Sequence, residues 1–450
     1  MTYELLAQAI RDTARKGDLQ SLRAFVNAEH PADLANFLGG LEPRDAWTVL
    51  DLLPVEEQAE VFGYLGRDFQ VEIARHAPRD KLAGIVTEMH ADERADLFNE
   101  LTEAQQEALL PALAQAERED IRRLAGYAED TAGAIMTSDY ATLIPALTAA
   151  EAIEHLRREA PDKETIYRAY VIGPDRRLIG SVRLRDLIVA PSRAKVSDIM
   201  ETNTLAVRVD DDQELVARQI AKYDVLAVPV VDADGRLVGI VTHDDAMDVM
   251  QEEATEDFHR VGTVSKFLTN VRDASILMLY RSRIFWLVIL VFGNIFSGAG
   301  IAYFEDTIAA YVALVFFLPL LIDSGGNAGS QAATLMVRAL ATGDVKMADW
   351  GWMLGREVAV AALLGLTMAI AVSAIGVIRA GPEIALVVSL SMVIIVIVGS
   401  LIGMTLPFIL TRLNLDPATA SAPLVTSIAD ATGVIIYFAL ATAFLFPAVQ

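Results

Sequence analysis

The chain has 450 residues, no cysteine, and 60 acidic against 37 basic side chains, a formal net charge of −23. Without cysteine there is no disulfide framework and no thiolate metal site, and so strong an acidic excess argues against nucleic acid, whose affinity rests on Lys and Arg at the phosphates. The charge is uneven: Val271 to Gln450 carries eight Lys/Arg and ten Asp/Glu, leaving 29 and 50 for Met1 to Asn270. A nearly neutral apolar part therefore follows a strongly acidic polar one, and the length calls for several domains.

Residues 1–15 are amphipathic and carry acids, which does not read as a signal peptide. Residues 1–129 read as an α-helical domain of short helices, with apolar positions at helical spacing between breakers such as His30-Pro31, Glu42-Pro43, Leu53-Pro54 and Ala77-Pro78. Similar apolar-acidic pieces follow one another, which predicts helical hairpins stacked in a small superhelix.

Residues 130–257 contain a duplication. Val171-Ile-Gly-Pro-Asp-Arg-Arg-Leu-Ile-Gly-Ser-Val matches Val230-Val-Asp-Ala-Asp-Gly-Arg-Leu-Val-Gly-Ile-Val at an offset of 59 positions. Each copy reads as strand, turn and strand followed by an acidic helix start, at Asp186 and at Asp244-Asp245. The pattern resembles a tandem pair of CBS domains, small α/β modules that sense ligands beside a transporter or enzyme, with copies at about 130–199 and 200–257. A connecting helix over 245–268 then carries Asp245, Asp248, Glu252, Glu253, Glu256 and Asp257 and ends in His259, Arg260 and Lys266.

From 269 onward the chain reads as a transmembrane domain of five α-helical spans: Ile284–Phe304, Thr307–Leu340, Val358–Ile378, Ile384–Thr411 and Pro417–Phe446. Arg281, Arg283, Arg338, Lys346, Arg356 and Arg412 fall on one side, and Glu305, Asp306, Arg379 and Glu383 on the other. The positive-inside bias then puts the N-terminus in the cytosol and the C-terminus outside a plasma (inner) membrane.

Two features of the spans carry chemistry. Asp430 is a lone carboxylate in an apolar run; an ionisable group at that depth is costly and marks a functional site or a paired helix contact. Pro423, Thr426, Asp430 and Gly433 share its helical face by spacing. In the second span, Pro319 followed by Asp323, Gly325, Gly326, Asn327, Gly329, Ser330 and Gln331 predicts a helix broken inside the membrane, tolerated only inside protein or beside water. A Gly-rich helix contact is the alternative.

Read together, the helical N-domain, CBS-like pair, acidic connecting helix, five spans, the Pro319 to Gln331 motif and the Pro423 to Gly433 motif resemble the MgtE family of magnesium channels over essentially the whole length. The resemblance implies a Mg2+-selective channel, not an enzyme, working as a homodimer in the lipid bilayer with its pore on the two-fold axis and Asp430 facing its own copy. Mg2+ dehydrates reluctantly, so paired carboxylates would hold it through its waters. Pore-lining candidates are Asn327, Gly325, Gly326, Gln331, Thr426 and, at the mouth, Asp323. The resemblance also implies closure by cytosolic Mg2+ bridging acidic surfaces at Glu60, Asp92, Asp96, Glu214, Asp224, Asp245, Asp248, Glu253, Glu256 and Asp257. An adenine nucleotide such as ATP would meet the CBS pair at Tyr167, Arg185 and Asp186. Rival readings are a coupled divalent-cation exchanger, which five spans do not divide into halves for, and an intramembrane aspartyl protease using Asp323 and Asp430, whose flanking signatures are missing.

Overall fold

The computed structural model describes residues 26, 29–262, 275–413, 415–419 and 422–446. Lys266 and the end of the expected connecting helix lie outside these residues, as does most of 1–28. The chain divides into two units, one ending at Glu252 and one beginning at Glu253.

The described residues of the first unit include eight short helices: α1 (Pro31–Leu38), α2 (Pro43–Leu50), α3 (Val55–Gly63), α4 (Arg67–His76), α5 (Arg79–Glu88), α6 (Ala91–Glu100), α7 (Glu103–Leu109) and α8 (Gln115–Leu124). The prolines that read as breakers are starts: Pro31 and Pro43 occupy the first helical turn, where the missing N–H costs nothing, and Pro54 and Pro78 cap their helices. Each helix packs against the one two further along, α1 on α3, α2 on α4, and so to α6 on α8. Phe37, Trp47, Phe62, Ile73, Ile85 and Leu97 fill the space between them.

Two three-stranded sheets follow. In the first, β1 (Tyr140–Leu143) runs parallel to β2 (Thr165–Ile172), which pairs antiparallel with β3 (Leu178–Arg183); the second repeats this with β4 (Val207–Arg208), β5 (Ala227–Val231) and β6 (Leu237–Thr242). The duplication holds to the register: Ala169 opposes Val182, and Val228 opposes Val241, both displaced by 59. The hairpin turns differ in one respect. Gly235 takes φ +78° freely, whereas its counterpart Arg176 is held at φ +59° and donates from Nη2 to Tyr140 Oη at 2.8 Å. Helices α9 (Ala149–Glu159), α10 (Leu184–Val189), α11 (Val196–Ile199) and α12 (Gln213–Tyr223) complete the pair, and α13 (His243–Val261) is the connecting helix, two residues longer at its start than expected.

The second unit holds α14 (Ile276–Tyr303), the short α15 (Glu305–Ala310), α16 (Ala313–Ala341), α17 (Trp350–Ala380), α18 (Pro382–Arg412) and α19 (Ala422–Leu445). Five of these helices are long and apolar enough to cross a membrane. The expected break in the second span is not where the motif placed it. The chain turns between α15 and α16, and α16 then runs unbroken through Pro319 and the glycines. A proline near the start of a long helix removes one N–H and leaves the rest of the ladder intact. Those glycines serve packing instead: a Cβ on Gly399 would lie 2.3 Å from the Gly325 carbonyl oxygen, and one on Gly403 1.9 Å from that of Gly329. Helices α16 and α18 therefore touch backbone to backbone, the small-residue seam by which helices associate in lipid.

Candidate functional site

Inside the spans, the polar groups converge on one edge of the α16–α19 contact. Gly326 turns its bare Cα toward α19; a Cβ there would lie 3.0 Å from Thr426 Cγ2 and 3.5 Å from Asp430 Oδ1. The glycine thus lets the half-buried Asp430 carboxylate lie against helix backbone with no side chain between. Asp323 is the charged neighbour of Asp430. It is exposed and accepts a hydrogen bond from Asn327 Nδ2 at 3.0 Å, one turn on. Gln331, a further turn along, is exposed too, so 323, 327 and 331 make a polar stripe about 12 Å long at 1.5 Å per residue. Gly325 is buried against Ile395 of α18 rather than on this stripe. Gly433, one turn past Asp430, is buried too, and a Cβ there would lie 3.5 Å from Ile395 Cγ2. Thr426 spends its hydroxyl on the Pro423 carbonyl oxygen at 2.9 Å, which presents its methyl to Gly326.

In the first unit, Asp92 and Glu93 occupy the first turn of α6, where the helix dipole favours acids. Tertiary structure then crowds them. Asp92, Glu164 and Asp245 repel one another, and the buried Asp92 Oδ1 has no hydrogen-bond partner among the described residues. Burial, and then mutual repulsion with Glu164 and with each other, pushes both Asp92 and Asp245 well above the usual carboxylate range. Thr242 donates its hydroxyl to Asp245, which offsets part of this. Glu93, whose carboxylate lies over Gly63 of α3, is pushed up to about 7, chiefly by burial. The exposed Glu60 is one turn back along α3 from that glycine. His90 Nδ1 lies 3.0 Å from Glu164 Oε2, and that bond raises the imidazole to about 9, making it a cation at neutral pH.

One helical turn along, Asp96 pairs with Arg67 at 2.7 Å yet is held up to about 6, by burial and then against the arginine's pull, with Glu252 and Glu100 repelling it. Asp248 of α13 is raised by burial and by Asp244. The structure thus joins Asp92, Asp96, Asp245 and Asp248 along one seam between α6 and α13. Sequence reasoning missed Glu93, Glu164 and His90. Glu93 had a signal, standing inside the acidic run that supplied Asp92; Glu164 had none, lying far away on the approach to β2. Glu214 and Asp224 are not brought together: they stand near opposite ends of α12, the first ion-paired with Arg218 and the second exposed as a left-handed cap at φ +51°. Glu253, Glu256 and Asp257 are half-buried on the second-unit part of α13. Among the described residues no three His, Asp or Glu side chains gather closely enough to ligate one ion directly. An ion at the α6–α13 seam would have to keep much of its water, which is how Mg2+ prefers to bind.

At the first sheet, Tyr167 is 67 % exposed on β2, one position before the Arg168–Arg183 pairing. Asp186 takes Arg183 Nε at 2.7 Å and has Arg185 Nε at 3.7 Å. Arg183 is therefore the nearer partner, a residue the sequence did not single out.

Family models match the chain in the same order: the MgtE intracellular N domain at residues 29–130, CBS domains at 132–193 and 196–252, and a divalent cation transporter, MgtE, at 318–440. A magnesium transporter MgtE from Thermus thermophilus is 40 % identical over 441 residues, 97 % of this chain and 98 % of the relative. One from Bacillus subtilis is 33 % identical over 446 residues, 99 % of this chain and 98 % of the relative. Among solved structures, the cytosolic domain of the Mg2+ channel MgtE in complex with ATP matches with a TM-score of 0.52 at 40 % identity, covering 54 % of this chain and 99 % of that one. The soluble part of a magnesium transporter matches with the same score at 33 % identity, over 56 % of this chain and 100 % of that one.

Proposed function

The chain belongs to the MgtE family of divalent cation transporters, and from this premise we propose that it is a homodimeric, Mg2+-selective channel of the inner membrane, closed by cytosolic Mg2+. It is a transport protein rather than an enzyme, and its five apolar helices embed it in a membrane. The observation that carries the channel reading is the Asp430 carboxylate against Gly326, beside the Asp323–Asn327–Gln331 stripe. A carboxylate with amide groups beside it suits a hydrated divalent cation, held by hydrogen bonds to its waters and released without dehydration. In a two-fold assembly Asp430 would meet its own copy, doubling the negative charge for the passing ion; bare, that pair would oppose assembly. The N-terminus is cytosolic in this reading, by the positive-inside distribution.

For feedback, Asp92, Asp96, Asp245 and Asp248, with Glu93 and Glu164, would hold the ion at the α6–α13 seam. Two observations support this: Asp92 Oδ1 is buried with no hydrogen-bond partner among the described residues, and these six acids outnumber the cations His90 and Arg67 beside them. Bound Mg2+ would supply that balance and keep the N-domain helices on α13; as it leaves, like charges favour separation. Glu60, Glu214, Asp224, Glu253, Glu256 and Asp257 remain proposed ligands of the same ion class. An adenine nucleotide is proposed at Tyr167, Arg185 and Asp186, with Arg183 beside them.

Asp430→Ala should abolish Mg2+ uptake while the protein still inserts and dimerises, read by Mg2+ flux into proteoliposomes and by crosslinking. Uptake at the wild-type rate overturns the assignment. Currents far above carrier turnover in patch recordings separate a channel from a coupled exchanger.

A further inference from the structure

Near its end, the connecting helix carries a cation of its own. Arg260 of α13 is ion-paired with Glu256, one turn back on the same helix, and with Asp416, in the chain between α18 and α19. The side chains of Glu256 and Asp416 are only 12 % and 27 % exposed, so the guanidinium sits between two carboxylates largely withdrawn from water. Asp416 does more than pair: its Oδ1 accepts from Ala418 N at 2.7 Å, and its carbonyl oxygen accepts from Thr419 N at 3.1 Å, which shapes the single turn Pro417–Thr419. That turn leads into α19, and Asp430 stands eight residues past the first residue of that helix. Apolar contacts join the same place, with Val261 packed on Val337 of α16 and Ala418, beside Leu406 and Leu410 of α18. Charge and packing thus tie the helix end to the root of the helix that bears Asp430.

We propose that Arg260 is a built-in cation which latches α13 to the start of α19, so that part of the closing force needs no metal. The chemistry is that of a bridged acid pair. Glu256 and Asp416 repel one another when nothing positive lies between them, and a tethered guanidinium fills that place when no metal ion does. A bidentate fork suits two carboxylates better than a single ammonium would. Arg260 is a positioning residue in this scheme; it touches no permeating ion. The inference rests on reading α13 as the gating helix of a channel closed by cytosolic Mg2+.

The test uses the full chain in lipid nanodiscs and proteoliposomes. Arg260→Gln should raise the cytosolic Mg2+ needed for half-closure about fivefold, a typical coupling for one residue of such a network, and should speed amide exchange across 415–430. Asp416→Asn, which keeps an acceptor for Ala418 N but removes the charge, should do the same. The exchange of charges in Arg260→Asp with Asp416→Arg should bring both readouts back toward wild type, which a merely structural role would not. An unchanged half-closure concentration in both single variants overturns the latch. Should wild-type flux ignore cytosolic Mg2+, the feedback reading falls by itself; the latch is then judged on basal flux and exchange, and unchanged values in Arg260→Gln overturn it.

Discussion

Glu93→Gln should make the cytosolic half more stable at pH 8 and almost no different at pH 5, in the absence of Mg2+. Burial against α3 moves the Glu93 carboxyl from about 4.5 to about 7. A raised acid binds its proton more tightly folded than unfolded. It therefore contributes stability that is fully present below pH 4.5 and is lost as pH rises through 7. At about 1.4 kcal/mol per tenfold, and allowing for residual solvent, the loss is about 2–3 kcal/mol. Gln is isosteric and neutral, so it escapes that loss while keeping the contact over Gly63. For a unit of this size the gain corresponds to about 4–12 °C in Tm at pH 8. Thermal unfolding of the full chain in detergent with a chelator, followed by circular dichroism from pH 5 to 8, reads it directly. Adding Mg2+ at pH 8 should narrow the difference, since a divalent ion among these acids would relieve the wild type of the same charge. A difference independent of pH, or a variant less stable at pH 8, refutes the account of Glu93 as a strained acid.

Two further outcomes are expected. Arg94 is 9 % exposed and lies 3.8 Å from Asp120 and 3.7 Å from Asp139, so Arg94→Met should cost about 3 kcal/mol at neutral pH by taking the ion-pair partner from part-buried Asp139 and leaving Asp120 with Arg123 alone. Urea unfolding measures this, and a loss under about 1 kcal/mol argues that the pair is solvated. Gly403→Ala should lower thermal stability and Mg2+ flux together by about 1–3 kcal/mol of overpacking, because its methyl would sit 1.9 Å from the Gly329 carbonyl oxygen, a backbone atom that cannot rotate away. Unchanged melting in detergent would show that α16 and α18 are not in backbone contact.

Sequence by itself determined the fold class, since it depends on periodicity and repetition, which are local. Pro31, Pro43, Pro54 and Pro78 punctuate short helices; the offset of 59 fixes two copies down to the opposition of Ala169 with Val182 and Val228 with Val241; five apolar runs need no partner to be recognised. It also singled out Asp430, because a charge in an apolar run is conspicuous without any structure. Tertiary structure decided which groups meet. The glycines after Pro319 read as a break, because propensity sees only a weak helix; a neighbouring backbone within reach of Gly325 and Gly329 makes the same residues a packing seam. Glu164 reaches Asp92 across some 70 positions, and Arg260 reaches Asp416 across more than 150, distances at which spacing carries no information. Whether an acid is a solvated surface charge or a strained one is set by what is packed over it, and no window of sequence contains that.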